Sequence, residues 1–377
     1  MIKRIVFWEP MLSPHKCDFF SALTAVAPSI EVVCCAESGV SADRRRMGWR
    51  VESDLPFRTI VAPSAALART LAAEEPDSSL HVFSGVRHVP CIVEGLRSVR
   101  RAGARFAIQS EPRVREGWRG EARYLQSWLT EGWLRKDVDF VLAIGANGPP
   151  WFRSVGYRQE RILPFAYFVD APKVNQARTG ASGHGAVPTV IGFVGRLVAM
   201  KGVFDLVDAL ALLGDGFTLR VAGVGPDEDR FRRYAAQQGV ALESAGVIPM
   251  DAIGDFMNEL DVLVLPSRSK DDGWGVVVSE ALMCGTAAIA TPCVGASVML
   301  SDNRLGRVAS ARSAVGIAES VRVLVDSDAL TPAARSTRRA LACARLSADS
   351  GANYLLDILR WSECGGVRPQ PFYERER

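Results

Sequence analysis

The feature that most constrains the fold is an alternation of short apolar runs with helix-length segments through almost the whole chain of 377 residues. The runs are rich in β-branched residues and are bounded by Gly, Pro or polar residues, which is typical of buried strands. Strands that alternate with helices predict a parallel sheet covered on both faces. The runs are IKRIVFW, IEVVCCA, HVFSG, ARFAIQS, DFVLAIG and RILPFAYFV in the first half, and TVIGFV, LRVAG, DVLVLP, AAIAT and LGRVAS in the second.

The length of the chain predicts two domains, because it exceeds what one hydrophobic core usually serves. Residues 171–188 are polar, rich in Gly and Ser, and without apolar periodicity, which favours a linker in which His184 is solvent-exposed. We therefore predict Rossmann-like domains at 1–170 and 189–350. Residues 351–377 supply a last helix and a polar tail that we expect to be loosely held.

Charge and cysteine usage exclude several classes of partner. A formal net charge of +3 is too small to indicate nucleic acid. The eight cysteines form no CxxC pair, which favours reduced thiols in a cytoplasmic protein and no zinc site. The N-terminal run MIKRIVFWEP predicts a first strand rather than a signal peptide, and no run approaches the roughly 20 apolar residues that span a bilayer.

Basic residues are concentrated in one part of the first half. Arg97–Lys136 holds ten basic and four acidic residues, and its portion Arg113–Lys136 adds three tryptophans. Tryptophan with arginine is typical of a helix that lies on anionic lipid, and arginine clusters equally suit the diphosphate of a lipid-linked acceptor. The plainer alternative is buried tryptophans with solvated arginines. Gly117, Gly120 and Gly132 argue against one continuous helix.

The densest chemistry lies in 261–294, which predicts a strand, an acidic glycine-bearing loop, a helix and another strand. The loop follows the carboxyl end of its strand, the edge at which open α/β sheets bind ligands. Free N–H groups near Gly275 and Val276 suit an anion such as a diphosphate. Asp272 and Glu280 are suited to paired sugar hydroxyls, since an ionised carboxylate only accepts hydrogen bonds. The alternative is two solvated acids.

A second basic motif follows the first strand of the C-terminal half. In FVGRLVAMKG, Gly195 brings backbone N–H groups near an anion, while Arg196 and Lys201 supply positive charge at the same predicted edge. Alone, this motif would equally fit an exposed turn.

Together these motifs resemble retaining GT-B glycosyltransferases of family 4. The run DDGWGVVVSEALMCGTAAIAT is similar to the family's Glu-x7-Glu region, with Asp272 at the first acid, one methylene shorter, and Glu280 at the second. The resemblance implies that Asp272 contacts the donor sugar, that Glu280 contacts the nucleotide ribose, and that Arg196 and Lys201 contact the donor diphosphate. It also implies a last helix that crosses back to the first domain. The donor-binding residues that it implies are Gly195, Gly223, Val247, Ile248, Gly273, Trp274, Gly275 and Val276.

The N-terminal half resembles the family only in architecture. Where relatives carry a Gly-Gly turn, this chain has Ser13-Pro14-His15-Lys16, so His15 or Lys16 is the candidate donor of hydrogen bonds. Ser84, Arg87 and His88 follow another predicted strand and are further candidates for the cleft. Glu111 stands near the position of a family histidine, where it would orient or deprotonate an acceptor hydroxyl. The alternative for Glu111 is a loop acid paired with Arg113 or Arg115.

The sequence therefore predicts an α/β protein of GT-B fold, with two Rossmann-like domains whose parallel sheets face across an interdomain cleft. The predicted activity is retaining transfer of a sugar from a UDP-sugar or GDP-sugar donor, without metal or cofactor, to a glycan, lipid-linked or small-molecule acceptor in bacterial polysaccharide or glycoconjugate synthesis. Peripheral contact with the inner face of the cell membrane through Arg113–Lys136 is part of this hypothesis. The alternatives are a nucleotide-sugar epimerase and a non-catalytic nucleotide-sugar-binding subunit.

Overall fold

The structure is a computed structural model that describes residues 1–46, 48–175 and 188–375. Most of the predicted linker, with His184, lies outside the described residues. The chain divides into two compact units, one formed by Met1–Asp170 with Ser347–Arg375 and the other by Ala171–Leu346.

The first unit is built on a seven-stranded parallel sheet of order β3-β2-β1-β4-β5-β6-β7. Continuous apolar runs make its central strands buried on both faces, as predicted. Its strands are β1 Arg4–Glu9, β2 Glu31–Ala36, β3 Arg58–Val61, β4 Ser79–Ser84, β5 Arg105–Ser110, β6 Phe140–Ile144 and β7 Ile162–Phe165. Its helices are α1 Pro14–Val26, α2 Ala42–Arg46, α3 Ala65–Ala73, α4 Pro90–Ala102, α5 Gly117–Thr130, α6 Gly132–Asp137, α7 Gly148–Ser154 and α14 Ala348–Cys364.

The last helix and the tail belong to the first unit. Helix α14 packs against α1. Gly351 on α14 lets the ring of Phe168 approach closely, because a Cβ at Gly351 would lie 2.2 Å from Phe168 Cγ. The expectation of a loose tail is wrong at Phe372, which is buried against the rings of Phe168 and Tyr354. An aromatic residue so near the end of a chain is held by the apolar area that it removes from water.

The second unit is built on a six-stranded parallel sheet of order β10-β9-β8-β11-β12-β13. Its strands are β8 Thr189–Val194, β9 Phe217–Ala222, β10 Ala241–Gly246, β11 Val262–Leu265, β12 Ala287–Ala290 and β13 Gly306–Val308. Its helices are α8 Val203–Leu213, α9 Glu228–Gln237, α10 Ile253–Glu259, α11 Val276–Met283, α12 Ala314–Val325 and α13 Pro332–Leu346. Both sheets are open, parallel and flanked by helices, which confirms the predicted α/β class.

Further features of the structure bear on the predictions from the sequence. Pro14 begins α1, and the segment Arg113–Lys136 forms two helices that meet at Glu131 rather than one. All eight cysteines have free thiols, and five of them are buried. Within the ranges that the structure describes, no helix combines the length and apolar character needed to cross a membrane.

Candidate functional site

In the second unit the strand order reverses between β8 and β11, so the loops that follow these two strands are neighbours. The loops are packed together without room for a side chain at Gly202, where a Cβ would lie 2.0 Å from the carbonyl oxygen of Pro266. The amide of Arg268 donates to the carbonyl of Met200 at 2.8 Å. The turn that contains Lys201 and Gly202 and the acidic loop that contains Asp272 are distant in sequence. They therefore form one surface at the carboxyl edge of this sheet.

Lys201 and Asp272 meet at this surface. The ammonium of Lys201 donates to Asp272 Oδ1, and the hydroxyl of Ser267 donates to Asp272 Oδ2. The Asp272 side chain is 3% exposed and that of Lys201 is 22% exposed. Asp272 therefore anchors Lys201, whose side chain stays partly exposed. The sequence placed both residues in the site but did not predict this pairing.

The start of α11 depends on glycine. Gly275 has φ +78°, and a Cβ there would lie 2.6 Å from Val294 Cγ1. The preceding loop is fastened to the following segment, because the amides of Gly295 and Ala296 donate to the carbonyls of Gly273 and Trp274, each at 2.8 Å. The first N–H groups of α11 are thus held in a defined place next to the carboxylate that anchors Lys201.

Trp274 and Glu280 hold different positions in this segment. The Trp274 side chain is 1% exposed, and its Nε1 donates to Ser279 Oγ at 2.9 Å. Trp274 therefore supports the loop from the protein interior, and its contact with a donor stays a prediction. Glu280 lies in the second turn of α11 and is 8% exposed. Burial raises the pKa of the neighbouring Cys284 thiol, and the charge of Glu280 raises it further, so that this pKa is about 12.

The Gly-x-Gly turn after β9 is held against the turn after β8. A Cβ on Gly223 would lie 2.1 Å from the carbonyl oxygen of Gly195, and one on Gly225 would lie 2.3 Å from that of Leu197. Backbone contact between the two turns therefore requires both glycines. Arg196 projects from this contact as an exposed side chain.

The segment after β10 is the remaining part of the predicted donor site. Val247 is 40% exposed, and Ile248 is partly buried. Their backbone groups stay a predicted contact for the nucleotide base.

The N-terminal candidates have partners that the sequence did not predict. Lys16 is buried and donates to Glu9 Oε1 at 3.0 Å and to Ser84 Oγ at 3.3 Å, so it is held by the protein rather than presented to a phosphate. His15 lies edge-on against Trp49, and burial together with the charge of Arg44 lowers its pKa to about 4. His15 is therefore neutral at physiological pH.

Arg87 and Arg113 converge on one buried acid. Each guanidinium donates to Glu131 Oε1 at 2.8 Å, and Tyr157 donates to Glu131 Oε2 at 3.2 Å. Arg87 is thus part of the junction between α5 and α6. His88, next in the chain, has a positive φ of 68°.

Glu111 has a tyrosine partner that the sequence did not predict. Burial and the hydrogen bond with Glu111 raise the pKa of the Tyr167 phenol. Of the two arginines proposed as partners of Glu111, Arg113 bonds Glu131, and Arg115 forms a two-point ion pair with Glu121 at 2.8 Å.

Comparison with known proteins supports the architecture and the motifs. Residues 180–340 match the model of the family described as glycosyl transferases group 1. A 2-deoxystreptamine N-acetyl-D-glucosaminyltransferase of Streptomyces fradiae is 37% identical over 105 residues, covering 26% of this chain and 24% of the relative. A GDP-mannose-dependent alpha-(1-6)-phosphatidylinositol monomannoside mannosyltransferase of Mycobacterium tuberculosis is 32% identical over 187 residues, covering 47% and 48%. The chain thus matches about a quarter to a half of the length of such relatives.

Solved structures match over nearly the whole chain at low sequence identity. Anabaena Alr3699/HepE, crystallised with UDP, has a TM-score of 0.71 at 15% identity and covers 94% of this chain and 99% of its own. The sucrose-phosphate synthase of Thermosynechococcus elongatus has a TM-score of 0.70 at 14% identity, covering 96% and 100%. Identity this low supports the fold alone. The chain has the GT-B fold, and its residues 180–340 match the model of the glycosyl transferases group 1 family.

Proposed function

We propose that the protein is a glycosyltransferase that moves a sugar from a nucleoside diphosphate donor to an acceptor hydroxyl with retention of configuration. The observation that carries this proposal is the pairing of Lys201 with Asp272 where the strand order of the second sheet reverses. That location is the usual ligand site of an open α/β sheet. A fixed cation beside free helix N–H groups is suited to a diphosphate.

The chemistry follows from the charge that develops during transfer. As the bond between the sugar and the diphosphate breaks, negative charge grows on the leaving oxygen. In this proposal Lys201, Arg196 and the N-terminal end of α11 stabilise that charge without a metal ion. Asp272 holds Lys201 in place and is itself held by Ser267. The ammonium of Lys201 therefore needs little reorganisation in the transition state.

The two acids take separate roles in this proposal. Asp272 holds Lys201 through one oxygen and Ser267 through the other, and its remaining lone pairs accept from a sugar hydroxyl. Glu280, buried in the second turn of α11, accepts from the ribose hydroxyls. Glu111 in the first unit accepts the proton of the acceptor hydroxyl, or orients it.

The names of relatives suggest the substrates. The donor is a UDP-sugar or a GDP-sugar, since the Anabaena structure holds UDP and the mycobacterial relative is named for GDP-mannose. The acceptor is a glycan, a lipid-linked sugar or a small polyol in bacterial polysaccharide or glycoconjugate synthesis. Relatives named for 2-deoxystreptamine and for capsular polysaccharide represent two of these classes.

Calorimetric titration of the purified protein with UDP-, GDP- and dTDP-sugars in EDTA tests the donor site. We expect selective binding that is lost in Arg196→Ala and Glu280→Ala. The matched controls Arg232→Ala and Glu243→Ala remove exposed side chains of the same unit and should keep this binding. No binding by the wild type, or equal binding by all four variants, would refute the assignment. Binding with no transfer to any acceptor would instead favour a non-catalytic subunit, and interconversion of donor sugars would favour an epimerase.

Peripheral membrane contact is proposed for one face of α5. Trp118, Leu125 and Leu129 are 77%, 58% and 75% exposed, and their i, i+7, i+11 spacing places them on the same side of the helix. Trp128 is also 46% exposed, so the alternative of buried tryptophans is wrong for two of the three in Arg113–Lys136, while Trp133 packs on the core. An exposed apolar stripe beside arginines suits an anionic lipid surface.

Vesicle sedimentation tests this contact. With Arg119→Gln and Arg123→Gln combined, binding to vesicles containing phosphatidylglycerol should fall by roughly 30-fold, at about 1 kcal/mol per basic residue. Leu125→Ser with Leu129→Ser should weaken binding to anionic and neutral vesicles alike. The control Leu212→Ser changes an exposed leucine of the second unit. Unchanged sedimentation of the arginine variant would remove this part of the proposal.

A further inference from the structure

A second ion pair in the second unit joins the same two segments as Lys201 and Asp272. Arg268 Nε donates to Asp205 Oδ2 at 2.7 Å, and Arg268 Nη2 donates to Asp205 Oδ1 at 2.5 Å. Asp205 lies in the first turn of α8, where the helix dipole favours a carboxylate, and it is 6% exposed. A two-point pair of this kind fixes orientation as well as distance. Arg268 and Asp205 therefore form a second tie between the segment after β8 and the segment after β11.

The two ion pairs have opposite polarity. On the segment after β8, Lys201 and Asp205 stand four residues apart. On the segment after β11, Arg268 and Asp272 also stand four residues apart. The cation belongs to the segment after β8 in one pair and to the segment after β11 in the other. Each segment thus contributes one cation and one anion, and both pairs bridge the segments.

Charges arranged in this way also have a second way to pair, within their own segments. They lie close together, because the amide of Arg268 donates to the carbonyl of Met200, next to Lys201. Lys201 would then bond Asp205. Arg268 would bond Asp272, and neither pair would hold the segments together. Arg268 is the stronger competitor for a carboxylate, since its guanidinium forms two parallel hydrogen bonds where an ammonium offers a point charge.

The neighbours of Arg268 support its pairing with Asp205. Arg312 donates to the carbonyl oxygen of Arg268 at 3.3 Å, and it does so from a backbone φ of +58°, which a residue other than glycine seldom adopts. Asp208, one turn farther along α8, accepts from Tyr234 at 2.6 Å. The hydrogen bonds to Asp205, together with the charge of Asp208, raise the pKa of the Arg268 guanidinium, so it remains charged.

We propose that Asp205 and Arg268 are positioning residues of the donor site. By binding Arg268, Asp205 removes the cation that would otherwise compete for Asp272. Lys201 therefore keeps Asp272 as its partner and holds its ammonium where the two segments meet. The role of that ammonium in binding the donor diphosphate rests on the proposed function, and the pair acts on the donor through Lys201.

Removing one member of this pair should harm the site more than removing both. Asp205→Asn frees Arg268, which then takes Asp272. Arg268→Gln frees the Asp205 carboxylate, which then attracts Lys201. The double variant leaves no competing charge, so Lys201 returns to Asp272. A merely structural pair predicts the reverse, because the double variant lacks the same tie and would be at least as impaired as either single variant.

Nuclear magnetic resonance of the lysine ammonium groups tests this exchange in the full chain, labelled with isotopic lysine and without a donor. The Lys201 signal is identified by its loss in Lys201→Gln. We expect a slowly exchanging Lys201 signal in the wild type, a shift or loss of it in both single variants, and its return in the double variant. A wild type without this signal, single variants with an unchanged signal, or a double variant with an altered one would overturn the proposal.

Calorimetric titration with the UDP-sugar or GDP-sugar that the wild type binds measures the consequence for the donor. Each single variant should bind it about tenfold more weakly, the effect of one lost charge-assisted hydrogen bond, and the double variant should recover to within about twofold. A double variant no better than the single ones would leave the pair a structural role and refute the proposal.

Asp208→Asn is the matched control. It makes the same change three residues farther along α8, where Tyr234 is the partner, and should alter neither the Lys201 signal nor donor affinity. If the wild type binds no UDP-sugar or GDP-sugar, the proposed function fails, whereas the Lys201 signal still decides whether Asp205 and Arg268 control this pairing.

Discussion

Each unit has a parallel sheet whose strand order reverses once, between β1 and β4 in the first unit and between β8 and β11 in the second. The two units differ in what occupies the space at this reversal point. In the second unit the space is taken by backbone, since Gly202, Gly223 and Gly275 each lie within 2.6 Å of a neighbouring atom when a Cβ is added. In the first unit the space is taken by the side chains of Lys16 and Glu9, both buried. Backbone turns are suited to an anion, because they bring N–H groups close to it, whereas the first unit fills the corresponding space with side chains that are paired with each other.

Of the substitutions that test this difference between the units, Gly202→Ala should have the largest effect. Gly202→Ala places a methyl group against the carbonyl of Pro266 at a φ of +74°, so the two loops must separate. We expect the free energy of unfolding to fall by about 4 kcal/mol and nucleotide-sugar binding to be lost. The control Gly39→Ala in the first unit meets no atom within 4 Å and should leave both measurements unchanged. Equal melting temperatures for the two variants would contradict the close packing of these loops.

The buried ion pair of the first unit gives the next largest effect. Lys16→Met leaves the Glu9 carboxylate buried without its cation, so denaturant unfolding should show a loss of about 3 kcal/mol. The double variant with Glu9→Gln removes both charges and should recover most of that loss. Donor affinity, measured by calorimetry, should not change in either variant. A fall in donor affinity would show that Lys16 reaches the diphosphate after all.

Lys201 is the matching cation of the second unit, and its effect should appear in catalysis. Lys201→Ala should lower kcat about 100-fold, because in the proposed function it removes the fixed charge that stabilises the leaving diphosphate. Asp272→Ala should lower kcat to a similar extent, and the double variant should be little worse than either, since Asp272 acts in part through Lys201. Lys270→Ala, an exposed lysine of the same loop, is the control. Additive losses would mean that Asp272 acts independently.

Much of the fold was predictable because the central strands are continuous apolar runs. Every run named from the sequence forms a strand, but β3 and β10 were not predicted. Both are edge strands whose side chains are largely exposed or partly buried, so they lack an apolar run. An edge strand is specified by pairing with its neighbour, which local sequence does not report.

The candidate sites show the same limit. The turns after β8 and β9 were predictable from their glycines, because a turn with no room for a side chain requires glycine. The pairing of Lys201 with Asp272, 71 residues apart, and that of Lys16 with Ser84, 68 residues apart, left no local signal. The resemblance placed Trp274 among the donor contacts, but it did not predict that the residue is buried, because tryptophan occurs in cores and at ligand sites alike.

The smallest effect concerns pH, where the two units should respond with opposite sign. Burial, with Asp170 and Glu52 nearby, raises the pKa of Asp18 in the first unit to about 6. Hydrogen bonds from Arg304 and Arg345 lower the pKa of Asp302 in the second unit below its ordinary value of 3.8. The folded first unit therefore binds a proton that the unfolded chain has released between about pH 4 and 6. In the second unit the folded state releases a proton that the unfolded chain still binds below about pH 4.

Two asparagine variants measure this difference. At pH 7 the ionised Asp18 destabilises the folded state, so Asp18→Asn should raise the free energy of unfolding by about 1 kcal/mol, and the gain should vanish near pH 4. Asp302→Asn should lower it at pH 7 by about 1 kcal/mol, because the carboxylate then stabilises the folded state, and this loss should disappear only below the ordinary pKa of aspartate. Urea unfolding at pH 4 and pH 7 provides both values. Changes of the same sign at pH 7 would mean that the ionised Asp18 stabilises the folded state, which would contradict a pKa raised by burial.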